Sequence, residues 1–131
     1  MASAAITSLD IIENNLEIFQ SLRNNALSIH NGLKKILMLE CSSFAESPLK
    51  YIYLKEQKDR VIEEKLLSAI SNKCIKNNLA IIVPVYLETE IILPRPNLRL
   101  CISASLDNND IKFALNTLKK CTEEVLLSFC E

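Results

Sequence analysis

The sequence predicts one small α+β domain, in which a three-stranded sheet carries helices on one of its faces. The length of 131 residues is typical of a single domain. Glycine occurs once and proline four times, so turns are scarce and the elements between them must be long. Segments with helical spacing alternate with short strand-like runs in the order α-β-α-β-β-α. One small sheet covered on one side by helices accounts for that order.

The first predicted element is a long amphipathic helix. Apolar residues recur at intervals of three and four from Ile12 to Ile36, which predicts one continuous helix of roughly 25 residues. Gly32 lies inside this pattern, where glycine costs about 1 kcal/mol relative to alanine. Either another part of the chain approaches the backbone closely at Gly32, or the helix tolerates the loss of stability that the glycine causes. We assign residues 1–40 to a long linking helix and residues 41–131 to the small α+β domain.

Three short runs have the composition of β-strands. Leu49–Leu54 is rich in aromatic and β-branched residues, Leu79–Val85 is almost entirely apolar, and Leu98–Ala104 alternates apolar and polar side chains. Pro84 cannot donate a hydrogen bond to a sheet, which places it at an edge or near a strand end. The second and third runs have no helix between them, so we expect them to pair antiparallel.

Two more helices complete the predicted domain. One follows Gln57–Asp59, has Ile62, Leu66, Ala69 and Ile70 on one face, and ends at Asn77-Asn78. The other is opened by Asp107–Asp110, which resembles a capping box. Its predicted buried stripe is Ile111, Ala114, Leu118, Cys121, Val125 and Phe129.

Composition excludes several classes of function. The net charge is −1 with the charges interspersed, so nothing favours nucleic acid or an anionic membrane surface as a partner. No apolar run approaches the roughly 20 residues that span a bilayer, and the N-terminus does not resemble a signal peptide. The five cysteines form no C-x-x-C pair and there is one histidine, which predicts free thiols and no metal site.

Few side chains are candidates for chemistry. His30 lies within the first helical pattern and is expected to be solvated or to cap the helix. The neighbouring carboxylates Glu63-Glu64 and Glu123-Glu124 point in different directions on their helices and are expected to be surface charges. The residues alone therefore predict no catalytic, cofactor-binding or metal-binding set.

Arg99 is the one candidate binding residue. It follows the turn Pro94–Asn97 and projects from its strand onto the face opposite the apolar residues. A guanidinium held in this way can bind a carboxylate through two parallel hydrogen bonds. The alternatives are an ion pair with Glu88 or Glu90, or simple solvation.

The last fifty residues resemble a known family. Leu93–Ala104 and Asp107–Lys119 form a proline-rich turn, a Leu-Arg strand, a Ser-Ala step and an acidic cap. This pattern resembles the end of the α-oxoamine synthases, pyridoxal-phosphate (PLP) enzymes of fold type I that condense an amino acid with an acyl-CoA. Ala80–Glu90, and more weakly Ser3–Asn14 and Ile18–His30, resemble the non-catalytic long-chain-base subunits of the serine palmitoyltransferase branch. The resemblance covers essentially the whole chain.

The resemblance implies a fold and a role for one residue. The fold would be that of the C-terminal small domain of fold-type I PLP enzymes. Arg99 would correspond to the strand arginine that contacts the substrate carboxylate in catalytic members. Two positions depart from the catalytic pattern. A histidine that often follows the Ser-Ala step is replaced around Ser105-Leu106, and an upstream arginine has no counterpart near Leu87. Both departures suit a non-catalytic subunit.

The resemblance also implies partners. The cofactor lysine and the other PLP contacts would belong to a large domain preceding Met1, so this chain alone would bind no PLP. Its implied role is to support the condensation of L-serine with palmitoyl-CoA to 3-oxosphinganine in sphingolipid biosynthesis, in a heterodimer with a catalytic long-chain-base subunit. The implied location is the cytosolic face of the endoplasmic reticulum. Two alternatives stay open: a truncated non-enzymatic interaction module, and a fragment of another acyl-CoA:amino acid C-acyltransferase.

Overall fold

A computed structural model describes residues 1–130 as four helices and a three-stranded sheet. The predicted α+β class and the three-stranded sheet are confirmed, but the element order is α-α-β-β-α-β-α. The elements are α1 (Ala2–Asn14), α2 (Glu17–Lys34), β1 (Leu39–Cys41), β2 (Leu49–Leu54), α3 (Arg60–Lys76), β3 (Leu98–Cys101) and α4 (Asn108–Cys130).

The predicted continuous first helix is wrong, because it consists of the two helices α1 and α2. Asn15 leaves the helical conformation, with φ −139° and ψ 64°. The side chains of Asn14 and Asn15 donate to backbone carbonyls four residues earlier, a local interaction that competes with helix continuation. No residue of α1 is buried, so no tertiary packing holds the junction helical.

The sheet has the order β1-β2-β3, and both pairs of strands are antiparallel. Leu39 lies opposite Leu54, and Tyr51 lies opposite Arg99. β2 is therefore the central strand. The early segment Leu39–Cys41, which the sequence pattern did not single out, supplies one edge.

The predicted strand Leu79–Val85 is wrong. This segment forms one isolated antiparallel bridge, in which Ile82 and Arg99 exchange backbone hydrogen bonds of 2.7 and 3.3 Å. Pro84 has no N–H to continue the pairing. The segment therefore runs beside β3 without becoming a strand of the sheet.

The helices cover one face of the sheet, as predicted. The side chains of Ile52, Leu54, Leu98 and Leu100 are buried on this face and join a core with the apolar residues of α2, α3 and α4. The opposite face carries Tyr51, Tyr53 and Arg99, which are half-buried. The predicted alternation along β3 is confirmed, although the strand ends at Cys101 rather than at Ala104.

The ends of the later helices follow local sequence signals. α3 is followed by Asn77 and then by Asn78, whose φ of 65° lies in the left-handed region that asparagine tolerates. At α4 the capping box is confirmed, since Asp107 and Asp110 exchange backbone-to-carboxylate hydrogen bonds of 3.0 and 2.8 Å. Phe129 is 53% exposed, so its predicted burial is wrong.

Gly32 is a point of close approach between two helices. A Cβ atom at this position would overlap the side chain of Leu115 in α4. Glycine therefore lets α2 and α4 pack closely, which decides between the two interpretations that the sequence left open.

Candidate functional site

Arg99 lies in the middle of β3 on the face away from the helices. Its guanidinium stands over the ring of Tyr51, 5.3 Å from the ring centre, and its Nη2 donates a hydrogen bond of 3.3 Å to the hydroxyl of Tyr86. Its Nε is buried and has no hydrogen-bond partner within residues 1–130. Arg99 forms no ion pair within the described residues, so the alternative of a pair with Glu88 or Glu90 is wrong.

A second arginine on the same face is fully engaged. Arg95 donates from Nη2 to Oε1 of Glu63 at 2.7 Å and from Nε to both carboxylate oxygens at 3.2 Å. Its Nη2 also reaches the carbonyl of Leu54 at 2.7 Å, and its guanidinium stands 5.3 Å from the ring centre of Tyr53. The arrangement fixes the proline turn before β3 to both α3 and β2.

Glu63 is 2% exposed, so the prediction that it is a surface charge is wrong. Burial by itself would raise the pKa of this carboxyl. The hydrogen bonds from Arg95 and from the backbone N–H of Lys58 outweigh burial and hold the pKa below its ordinary value. Glu64, its neighbour, is exposed and pairs with Arg60 at 2.9 Å, as expected for a surface charge.

A cleft of about 610 Å³ opens between α3 and the segment 82–96. Its wall includes Ser68, Ser71 and Asn72 of α3 and the aromatic ring of Tyr86, whereas Arg99 does not line it. Arg60 also lines the cleft, and its Nη1 donates to the carbonyl of Pro94 at 2.7 Å. The volume suits a small ligand.

Two basic residues are buried on the helix-covered side of the sheet. Nζ of Lys50 donates to the carbonyls of Phe44 and Ala45 at 2.9 and 2.8 Å, and burial lowers the pKa of this lysine. His30 is 8% exposed, which corrects the prediction of a solvated or capping residue. Burial, followed by the charges of Lys50 and Lys34, lowers the pKa of His30. Both groups support packing and neither faces Arg99.

The cleft beside α3 and the segment 82–96 does not fit PLP as a covalently held cofactor. That role needs a lysine in a binding cleft, and no lysine lines the cleft beside α3. Lys50 is the buried lysine of the described chain, and its amine is already committed to two backbone carbonyls.

Four cysteines are free thiols, as predicted: Cys41, Cys74, Cys101 and Cys121. The side chain of Cys130 lies outside the described residues. Within those residues no group of three or more His, Cys, Asp or Glu side chains could hold a metal ion. No helix in that part of the chain is both long and apolar enough to cross a membrane.

Sequence reasoning missed the contacts of Arg95 with Glu63 and of Arg99 with Tyr51 and Tyr86. The prolines flanking Arg95 mark a rigid turn, but they do not indicate that Glu63 lies opposite it. Tyr51 and Tyr86 reach Arg99 through strand register and the Ile82 bridge. Had the antiparallel pairing of β2 with β3 been predicted in the correct register, it would have placed Tyr51 beside Arg99.

The sequence is similar to long-chain-base proteins along almost its whole length. No protein-family model matches the chain. It is 28% identical over 136 residues to serine palmitoyltransferase 1 of Dictyostelium discoideum, which covers 98% of the chain and 28% of that protein. It is also 30% identical over 128 residues to long chain base biosynthesis protein 1b of Oryza sativa subsp. japonica. That match covers 96% of the chain and 27% of the rice protein. The chain thus spans little more than a quarter of the length of these relatives.

Solved structures share the fold. 8-Amino-7-oxononanoate synthase from Francisella tularensis matches 96% of the chain with a TM-score of 0.69 and 21% identity, over 32% of its own length. A second match is serine palmitoyltransferase from S. paucimobilis, which was solved with a bound PLP-myriocin aldimine. It matches 92% of the chain with a TM-score of 0.73 and 17% identity, over 28% of its own length. By sequence the chain is similar to serine palmitoyltransferase 1 and to long chain base biosynthesis protein 1b, and it shares its fold with a part of these two solved enzymes.

Proposed function

We propose that the chain is the C-terminal part of a non-catalytic serine palmitoyltransferase subunit. In this role it supports the condensation of L-serine with palmitoyl-CoA to 3-oxosphinganine in sphingolipid biosynthesis. The observation that carries the proposal is the similarity to serine palmitoyltransferase 1, which extends over 98% of the chain.

The chain acts by association with a catalytic long-chain-base subunit, which supplies the PLP-binding lysine, at the cytosolic face of the endoplasmic reticulum. Of residues 1–40, which were assigned to a linking helix, α2 and the start of β1 pack into the small domain, so α1 is the part that links this domain to the remainder of the longer protein. The exposed apolar side chains of α1, including Ile6, Leu9 and Ile11, support this arrangement. A 13-residue helix with no buried side chain is marginal in water and needs a further surface against which to pack.

Arg99 is the residue of this chain that contacts the carboxylate of L-serine at a shared site. Support comes from its half-buried position and from a guanidinium that has no anionic partner within the described residues. Holding the carboxylate would orient the amino acid, and the partner subunit would supply the covalent chemistry.

Co-expression of the full-length parent protein with a catalytic long-chain-base subunit tests the association. We expect the two to co-purify and to release CoA from palmitoyl-CoA in a serine-dependent manner, more than the catalytic subunit alone. Failure to co-purify would contradict the proposal. Co-purification without any gain in CoA release would instead favour a non-enzymatic interaction module.

Substitution tests the role of Arg99. Arg99→Gln removes a charge-assisted bidentate contact, so KM for L-serine should rise about tenfold or more while kcat changes little. Arg23→Gln is the matched control, because Arg23 is exposed and its ion-pair partner among residues 1–130 is Glu46, at 3.6 Å. An unchanged KM in Arg99→Gln would remove Arg99 from the site.

A further inference from the structure

Arg95 and Arg99 present the same edge of the guanidinium to very different partners. Nε and Nη2 form the edge that can grip a carboxylate side-on. In Arg95 both groups donate to Glu63. In Arg99 the Nε has no partner within residues 1–130, and Nη2 meets the neutral hydroxyl of Tyr86. The edge of Arg95 therefore binds a carboxylate, whereas the edge of Arg99 contacts the hydroxyl of a tyrosine.

The Tyr86 contact is a weak substitute for an anion. Its length of 3.3 Å exceeds the usual range for an N–H to oxygen hydrogen bond, whereas the Arg95 contact to Glu63 is 2.7 Å. The single phenol oxygen leaves the buried Nε of Arg99 unsatisfied, which is unfavourable. A carboxylate in the same place would satisfy both donors and add a charge.

Tyr86 also lies between the two features that a ligand would use. Its side chain lines the cleft beside α3, whereas Arg99 does not. The ring of Tyr51 stacks against the Arg99 guanidinium. Contact with this ring holds the plane of the guanidinium, so its edge keeps its direction when Tyr86 moves.

We propose that Tyr86 covers the Nε and Nη2 edge of Arg99 and is displaced by the carboxylate of an amino-acid ligand that enters from the cleft. This inference rests on the proposed role of Arg99 as the carboxylate contact. Tyr86 is a positioning residue: its hydroxyl competes with the ligand carboxylate for the same donors, and so sets the affinity of the site.

The test uses the full-length parent protein co-purified with the catalytic long-chain-base subunit. Tyr86→Phe keeps the ring and removes the competing hydroxyl. We expect KM for L-serine to fall two- to fivefold with kcat unchanged, and the same substitution to have no effect in an Arg99→Gln background. Tyr53→Phe is the matched control, because Tyr53 lies under Arg95, whose edge is already filled by Glu63. We expect it to leave KM unchanged.

A ligand without a carboxylate gives a second readout. L-Serinamide, tested as a competitor of L-serine, should have the same inhibition constant in the wild type and in Tyr86→Phe. An unchanged or raised KM for L-serine in Tyr86→Phe would overturn the inference, as would a parallel gain in affinity for L-serinamide. If Arg99→Gln raises KM but Tyr86→Phe does not lower it, only the covering role fails. If Arg99→Gln has no effect, the proposed carboxylate contact fails as well.

Discussion

The carboxylate of Glu63 and the guanidinium of Arg95 form a buried ion pair that ties α3 to the turn preceding β3. Glu63 is 2% exposed, while the Arg95 side chain is 31% exposed. Because Arg95 also donates to the carbonyl of Leu54, one guanidinium links α3, β2 and the turn. The pair therefore positions the strand that carries Arg99.

Removing the charge of Glu63 should destabilise the protein. Glu63→Gln leaves Arg95 without its anionic partner, and we expect a loss of about 2–3 kcal/mol in the free energy of unfolding. Urea unfolding followed by circular dichroism measures this as a lower midpoint with an unchanged m-value. Glu64→Gln, at an exposed i,i+4 pair, should cost less than about 0.5 kcal/mol. Equal losses in the two variants would contradict the buried pair.

The same pair predicts a pH dependence. The pKa of Glu63 lies below its ordinary value of 4.5 in the folded protein. Its stabilising contribution is therefore fully present above about pH 4.5 and is lost as the pH falls through the folded pKa. The difference in unfolding midpoint between the wild type and Glu63→Gln should shrink between pH 7 and pH 3. A difference that stays constant over this range would show that Glu63 does not titrate as described.

The contact of Gly32 with Leu115 predicts a change of sign in a double-mutant cycle. Gly32→Ala adds helix propensity worth about 1 kcal/mol, but its methyl group overlaps Leu115, and overpacking costs about 1–3 kcal/mol. We expect the single variant to lose stability. In a Leu115→Ala background the overlap disappears, so Gly32→Ala should become stabilising. Unfolding midpoints of the four proteins measure this coupling, and additive effects would rule out the close approach.

Thiol reactivity should separate the cysteines by burial. Burial, with the neighbouring Cys121, raises the pKa of Cys74 to about 12, so almost no reactive thiolate exists at pH 8. Cys101 is exposed on β3. In the folded protein iodoacetamide should modify Cys101 within minutes and leave Cys74 intact, as read by peptide mass spectrometry. Unfolding in urea should make both react, and rapid labelling of Cys74 without urea would contradict its burial.

Local sequence signals account for the elements that were predicted correctly. The strand Leu49–Leu54, the capping box at Asp107–Asp110 and the helix end at Asn77-Asn78 depend on residues within a few positions of one another. Backbone preferences, side-chain alternation and short-range hydrogen bonds decide such features, so they can be read from the chain directly.

Contacts between segments that are distant in sequence decided the features that the sequence did not predict. An apolar run such as Leu79–Val85 is compatible with a strand, but Leu39–Cys41 pairs with β2 as the third strand, whereas Leu79–Val85 makes one isolated bridge to β3 through Ile82 and Arg99. Burial of Glu63 depends on Arg95, which lies 32 residues later, and the amine of Lys50 is satisfied by carbonyls of the loop before β2. No periodicity in one segment reveals these partners.

By itself the sequence determined the fold class, the alternation that turns Arg99 away from the core, and the resemblance to a PLP-enzyme family. Only the tertiary structure decided what Arg99 meets, because Tyr51 and Tyr86 approach it through strand register and a bridge between distant segments. Side-chain direction follows from the local geometry of a strand, whereas the surroundings of a side chain depend on how separate parts of the chain come together.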